Sequence, residues 1–231
     1  MRQFQTFSSF DPTTLAIVDG SGTSQFEIWN GEYCNDESEA RTSFGYVGKG
    51  GVELRTPQGK FNLREGMYFG APSQFSLHGT AGILFTKKGF TGVLTIAGPV
   101  EELGRLKYID GCSDSVLIQP LVKGDPCFNF LSLPQGIDQT AHTHPTVRLG
   151  QIISGEGYCE TSSGQFPLRP GVSFVLPPDE IHSFHTPASS LRLVVFHPDT
   201  DTGPSHDDHP MLNRTIVNGK SAATLDEIRT R

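Results

Sequence analysis

Several classes of protein are excluded by what this 231-residue chain has little of. There are four cysteines, Cys34, Cys112, Cys127 and Cys159, and none stands in a Cys-x-x-Cys pair. Neither a zinc knuckle nor a dithiol redox motif is indicated, and four reduced thiols are expected. Basic charge is scarce: 18 Lys and Arg stand against 25 Asp and Glu, a net charge of −7. No basic run exceeds Lys87-Lys88, so no nucleic-acid or anionic-membrane partner is expected. No apolar run approaches the roughly 20 residues that a bilayer-spanning helix needs. The first residues, Met1-Arg2-Gln3-Phe4-Gln5, have neither the apolar core nor the small-residue cleavage site of a secretory leader. A cytoplasmic protein is therefore expected. Long amphipathic periodicity is also missing, and only 100–106 and 225–229 read as short helices.

Glycine and proline, by contrast, are plentiful, at 26 and 16 residues. They punctuate short runs rich in Val, Ile, Leu and Phe, the pattern of an all-β, turn-rich chain. In the second half such runs fall near 127–133, 138–144, 147–154, 158–162, 172–176 and 190–197. In the first they fall near 43–47, 52–56, 67–69, 83–86 and 93–96.

The chain also repeats itself. Gly59-Lys-Phe-Asn-Leu-Arg-Glu-Gly66-Met-Tyr-Phe69 matches Gly164-Gln-Phe-Pro-Leu-Arg-Pro-Gly171-Val-Ser-Phe174. Upstream, Gly48-Lys-Gly50 matches Gly155-Glu-Gly157, and Arg41 precedes Gly48 by the same spacing as Arg148 precedes Gly155. The offset is 107 residues at one end of the match and 105 at the other, implying a two-residue length difference in the hairpin between Gly50 and Gly59. A duplication is expected, with a first domain over 1–110, a second over 111–200 and an extension over 201–231 that wraps a barrel or a partner subunit.

Three of the eight histidines carry the chemistry. In His142-Thr143-His144, side chains two apart on a strand point to one face, so both imidazoles can reach one ion. His182 follows the turn Pro177-Pro178-Asp179-Glu180-Ile181. Three neutral imidazoles form an open site with positions left for water, oxygen or substrate.

The stretch from Gly136 through His142, His144 and Arg148 to Gly155 resembles the first signature of the cupin superfamily. Gly164 to Gly171, followed by Pro177-Pro178 and His182, resembles the second. The resemblance implies an all-β protein of two tandem jelly-roll barrels with few short helices. It also implies one divalent transition metal in the second barrel, held by His142, His144 and His182. Iron is the first expectation, with zinc, nickel or manganese as the others. The family's usual fourth ligand is a glutamate at the position held here by Arg148. A guanidinium cannot ligate a cation, but its planar fork suits a carboxylate. Arg148 is thus a candidate substrate anchor, the alternative being a structural arginine paired with Asp179 or Glu180. Because Arg41 repeats it, a scaffold role is also open.

The repeat places Asn35 at the His142 position, Glu37 at that of His144 and Leu77 at that of His182, with His78 one residue off register. The first half is expected to bind no metal and to serve as a packing partner or part of a homodimer interface. Glu180, the acid nearest the site in sequence, is a candidate proton carrier or simply a turn residue. Phe184, with Phe128 and Phe130, is expected to line the pocket, or equally to be core. His185 is expected to point away from the site, and His197 to sit at the end of the strand over 191–196, where a turn-rich segment begins. The leading function is a three-histidine dioxygenase-like oxidoreductase acting on a small anion. A redox-neutral isomerase or lyase and a non-enzymatic metabolite-binding protein are the alternatives.

Overall fold

Strands dominate the protein in a computed structural model that describes residues 3–8, 14–20, 22–36 and 39–230. The first half contains β1 (Gln5–Phe7), β2 (Thr14–Asp19), β3 (Gly22–Asn35), β4 (Arg41–Thr56), β5 (Gly59–Arg64), β6 (Tyr68–Pro72), β7 (Phe75–Lys88) and β8 (Thr95–Ala97). The second contains β9 (Leu106–Lys107), β10 (Ser113–Ile118), β11 (Cys127–Leu133), β12 (Arg148–Gly155), β13 (Gly157–Thr161), β14 (Gly164–Leu168), β15 (Ser173–Leu176), β16 (His182–His185) and β17 (Leu191–His197). A short helix α1 (Pro210–Arg214) and the small hairpin of β18 (Ile216–Val217) and β19 (Lys220–Ser221) follow.

Two seven-stranded sheets result, ordered β2-β3-β7-β4-β6-β8 with β5 paired to β4, and β1-β15-β12-β17-β11-β10-β9. A three-stranded sheet, β14-β13-β16, belongs to the second half. The first strand of the chain thus closes the edge of the second half's sheet, pairing Gln5 with Val175. Edge strands left open are templates for aggregation, and β1 covers one.

Both large sheets are buried on both faces, which explains why their strands read as continuous apolar runs rather than as alternation. In β7, Ile83 and Phe85 join Phe26, Phe44, Phe128 and Phe196 in a core between the two sheets. Leu84, on the other face, joins Trp29, Leu54, Phe69, Phe75 and Leu77 inside the first half. In β17, Val194 and Phe196 face the shared core, while Leu193 and Val195 face the interior of the second half with Phe174 and Phe184.

The repeat is present in the strand registers, with corrections to its alignment. Thr56 opposite Gly59 recurs as Thr161 opposite Gly164, and Phe69 opposite Gly45 recurs as Phe174 opposite Gly150. A side chain at Gly45 or Gly150 would overlap the facing phenyl ring, so both halves need glycine there. The offset is 105 throughout this hairpin, and the expected length difference between Gly50 and Gly59 is not found. Arg148 pairs with Leu176 as Ser43 pairs with Ala71. The counterpart of Arg148 is therefore Ser43, not Arg41, and the scaffold argument built on Arg41 loses its support. Likewise Tyr158 pairs with His185 as Glu53 pairs with His78. His78 thus corresponds to His185, and Phe75, not Leu77, holds the His182 position. Asn35 faces Phe75 as His142 faces His182, as the alignment expected. Glu37 lies outside the described residues.

Residues 138–144 are not a strand; only isolated bridges at Asp138 and His142 tie them to the sheet. Residues 100–106 and 225–229 are not α-helical, and the helix that forms is α1, started by His209 capping Leu212 N–H and by Pro210 at its first position. All four cysteines are free thiols.

Candidate metal centre

The three histidines converge from the irregular segment that carries His142 and His144, which is not the expected strand, and from His182 at the start of β16. Backbone N–H groups of His142 and His182 each donate to the other's carbonyl, at 3.0 Å in both directions. This two-way bridge clamps the first ligand to the third. His144 is held by a different contact: its carbonyl accepts from Asp179 N–H at 2.8 Å. Asp179 has φ 59°, a left-handed conformation that aspartate tolerates better than most residues. The Pro177-Pro178-Asp179 turn therefore docks directly onto the segment that carries His144.

The ligand-capable nitrogens of His142, His144 and His182 all lie within 4.8 Å of one another. The donor set fits a first-row divalent ion, and the tautomers are prepared for it. His142 Nδ1 lies 2.9 Å from Thr140 O and His182 Nδ1 lies 3.0 Å from Glu180 O. A carbonyl can only accept, so both Nδ1 atoms carry the proton and both Nε2 lone pairs are free for a metal. Protonation does not compete strongly. Burial, then Arg148 and the neighbouring histidines, push His144 down to about 3. Burial likewise pushes His182 down to about 4. Both are neutral ligands near pH 7.

The three histidines open on a small cavity of about 90 Å³. Its apolar wall comes from Leu131, Phe174, Leu176, Phe184 and Val195, so Phe184 is where it was expected. Phe128 and Phe130 are not part of it. On β11 the alternation sends Asn129 and Leu131 to the cavity and Phe128 to the shared core. His185 points away, with Nδ1 2.6 Å from Asp138 and its ring stacked on Tyr158.

Arg148 reaches the same cavity. Its Nη1 donates to the carbonyls of Thr146 and Val147, each at 3.1 Å, and to the Thr146 hydroxyl. Its Nε is buried with no partner. Among the described residues no carboxylate is in ion-pair contact with it, so the alternative of a structural pairing with Asp179 or Glu180 is not seen. The Glu180 carboxylate instead accepts from Ser162, and it does not line the cavity. What Glu180 offers the centre is its backbone carbonyl.

The acid that does line the cavity is Asp114, whose carboxyl is raised by burial. Tyr108, Gln139, Asn129 and His197 line it as well. His197 is the last residue of β17, at the strand end where it was expected, and burial holds its imidazole well below the usual range. Sequence order gave no signal for Asp114 or Tyr108, because both precede the histidines by some thirty residues and reach them only through sheet order. Asn129 could have been found by placing it on the opposite face of β11 from Phe128.

Residues 135–203 match the family described as AraC-like ligand binding domain. No curated protein matches the chain. Among solved structures it is similar to a cupin 2 conserved barrel domain protein from Leptotrichia buccalis, with 14% identity over 82% of this chain and 89% of that one and a TM-score of 0.59. It is also similar to a putative glyoxylate induced protein from Pseudomonas aeruginosa, with 11% identity over 89% and 92% of the two chains and a TM-score of 0.67. A third is salicylate 1,2-dioxygenase from Pseudoaminobacter salicylatoxidans in complex with gentisate, with 13% identity over 81% and 74% and a TM-score of 0.59. The all-β chain has the cupin fold of these neighbours, and the match to the ligand-binding family lies within its second half.

Proposed function

We infer that this protein is a metal-dependent bicupin, a three-histidine dioxygenase-like oxidoreductase for a small organic anion, with its metal in the second of two tandem barrels. The observation that carries the reading is the pairing, in one cavity, of three imidazoles with a guanidinium whose Nε has no partner. Buried polar groups are seldom left unmatched, and such a donor beside an open centre calls for an acceptor from a ligand. The first substrates to try are salicylate and gentisate, because a salicylate 1,2-dioxygenase is among the structural neighbours.

Iron(II), when bound, supplies redox chemistry toward oxygen and Lewis acidity toward a chelating substrate. The chain's own residues do the rest. Thr140 and Glu180 carbonyls hold two imidazoles in the ligating tautomer. Arg148 orients the carboxylate of the anion. Phe174, Phe184 and Leu176 keep the reacting face dry, which strengthens every charge interaction inside. Asp114, with its raised carboxyl, is the group placed to hold or release a proton, a role that sequence position suggested for Glu180.

The test is elemental analysis of freshly purified protein with His142→Ala as control, followed by oxygen uptake with salicylate and gentisate. Metal bound through the histidines and oxygen consumed with turnover are expected. Turnover under strict anaerobiosis would instead establish a redox-neutral isomerase or lyase. The match to a ligand-binding family favours one other reading, a binding protein. Tight anion binding without turnover in the metal-loaded protein would establish it.

A further inference from the structure

A second cavity, about 340 Å³, adjoins the small one at the metal centre. Four side chains, Asp114, Asn129, Arg148 and His197, line both. They come from β10, β11, β12 and β17, four strands that are neighbours in the sheet order β12-β17-β11-β10. The two cavities therefore share a row of polar side chains across one sheet face. Two members of that row are unmatched: Arg148 Nε and Asn129 Oδ1 are buried without a partner. One is a donor and the other an acceptor, at the boundary between the chambers.

The inner chamber is the smaller of the two, and most of its wall surface is apolar. The outer one is larger and chemically different. Beyond the four shared side chains and Leu106, Val116, Cys127, Pro145 and Thr146, its wall is the segment Asp199-Thr200-Asp201-Thr202 following β17. The aspartates act on Arg148 through space without ion-pair contact. That wall presents carboxylate acceptors and hydroxyls and no cationic side chain other than Arg148 itself.

We propose that the ligand spans both chambers: an acid whose carboxylate meets Arg148 beside the histidines and whose other end carries a hydrogen-bond donor, ammonium or hydroxyl, facing Asp199 and Asp201. This rests on the reading of the inner chamber as the metal and anion site. It adds Asp199 and Asp201 as specificity-determining residues that recognise the tail and take no part in the reaction. A flat apolar acid fills the inner end only and leaves Asn129 Oδ1 and the two aspartates without a donor, which is how such a site discriminates.

The experiment measures binding to metal-loaded protein by calorimetry. The probes are 5-aminopentanoate, 5-hydroxypentanoate and hexanoate, which share a head and length and differ at the tail. The donor-tailed acids are expected to bind about tenfold or more tighter than hexanoate, the scale of one charge-assisted hydrogen bond. In an Asp199→Ala, Asp201→Ala variant that advantage is expected to vanish while hexanoate binding is unchanged. These residues lie in a surface segment after the last core strand, and thermal unfolding checks that the variant is folded. Equal binding of all three acids through Arg148, or an advantage that survives in the double variant, would overturn the two-chamber proposal and leave the anion site standing. Binding of the acids that is indifferent to Arg148→Met would overturn the anion site itself.

Discussion

The two halves of this molecule pair their strands in the same register and differ at the interior positions that decide chemistry. Where the second half has His142 opposite His182, the first has Asn35 opposite Phe75. Arg148 has as its counterpart Ser43, and His197, one residue beyond the shared Phe196/Phe85 position, has Thr86. Ser43 and Thr86 hydrogen-bond each other at 2.7 Å, a buried pair that satisfies itself. The Arg148 and His197 pair that replaces it does not: Arg148 Nε is left open and His197 is desolvated. The first half also fills its interior. Trp29 stands at the Leu131 position, since Trp29 faces Gly82 as Leu131 faces Leu193. A side chain at Gly82 would overlap the indole, so the glycine makes room for the plug. A closed core and an open site have been built on one scaffold by a handful of substitutions.

Strand continuity differs as well. The first half runs β3 and β7 as single strands of 14 residues each, joined along almost their full length. In the second half the equivalent pair is broken into β11 plus the irregular 134–147 segment, and β16 plus β17. His142 and His144 sit in that irregular segment, and His182 opens β16 across from it. Two ligands on an irregular segment can be aimed by turns and bridges, which a regular strand of period two would not allow.

The sharpest way to break the comparison is to remove a ligand. His144→Ala is expected to abolish bound metal and with it activity, leaving the second half no more competent than the first. Metal content by elemental analysis, alongside a circular dichroism spectrum unchanged from the parent, checks this. Arg148→Ser copies the first half at a single position. It is expected to keep the metal and raise KM for an anionic substrate by roughly 10- to 100-fold, the scale of a hydrogen bond to a charged group. A fall in metal content would instead place Arg148 in support of the histidines.

The reverse comparison is tested in the first half. Trp29→Leu removes the plug from a core in which Phe69 packs on the indole and in turn on Phe75. Such a truncation is expected to cost about 2–3 kcal/mol in denaturant unfolding, for lost burial and the cavity left behind. Oxygen uptake at the metal centre is expected to be unchanged. The converse double change, Leu131→Trp with Leu193→Gly, is expected to block anion binding in the second half while sparing the metal.

Much of this was legible in the sequence. Gly59–Phe69 and Gly164–Phe174 share side chains at fixed spacing, so the duplication could be read directly. His142, His144 and His182 were legible because a metal demands particular residue types. Register was not. Sliding a strand by two residues keeps every side chain on its face, so the pattern could not distinguish Arg41 from Ser43 as the counterpart of Arg148. Asp114 and His197 were missed for a different reason. Neither belongs to a motif, and only the sheet order β17-β11-β10 brings them to the histidines. Glu180 shows the opposite error: it is adjacent in sequence, but its side chain is turned to Ser162.

The smallest expected difference between the halves is in their response to acid. In metal-free protein His144 and His182 titrate near 3 and 4, against about 6.5 in an unfolded chain. Below pH 6.5 the unfolded chain binds protons that the folded one refuses, so stability falls with falling pH. Both histidines contribute their full share above pH 6.5, and that share is lost progressively down to about pH 4 and 3. Asn35 and Phe75, at the positions of His142 and His182, do not titrate, so the first half has no such dependence from these sites. A His182→Phe variant, copying Phe75, is therefore expected to show a shallower loss of Tm between pH 6.5 and pH 4 than the parent, both stripped of metal. Equal slopes in the two proteins would mean that His182 is not desolvated, and that the second half is as open to water at its centre as it is to ligand.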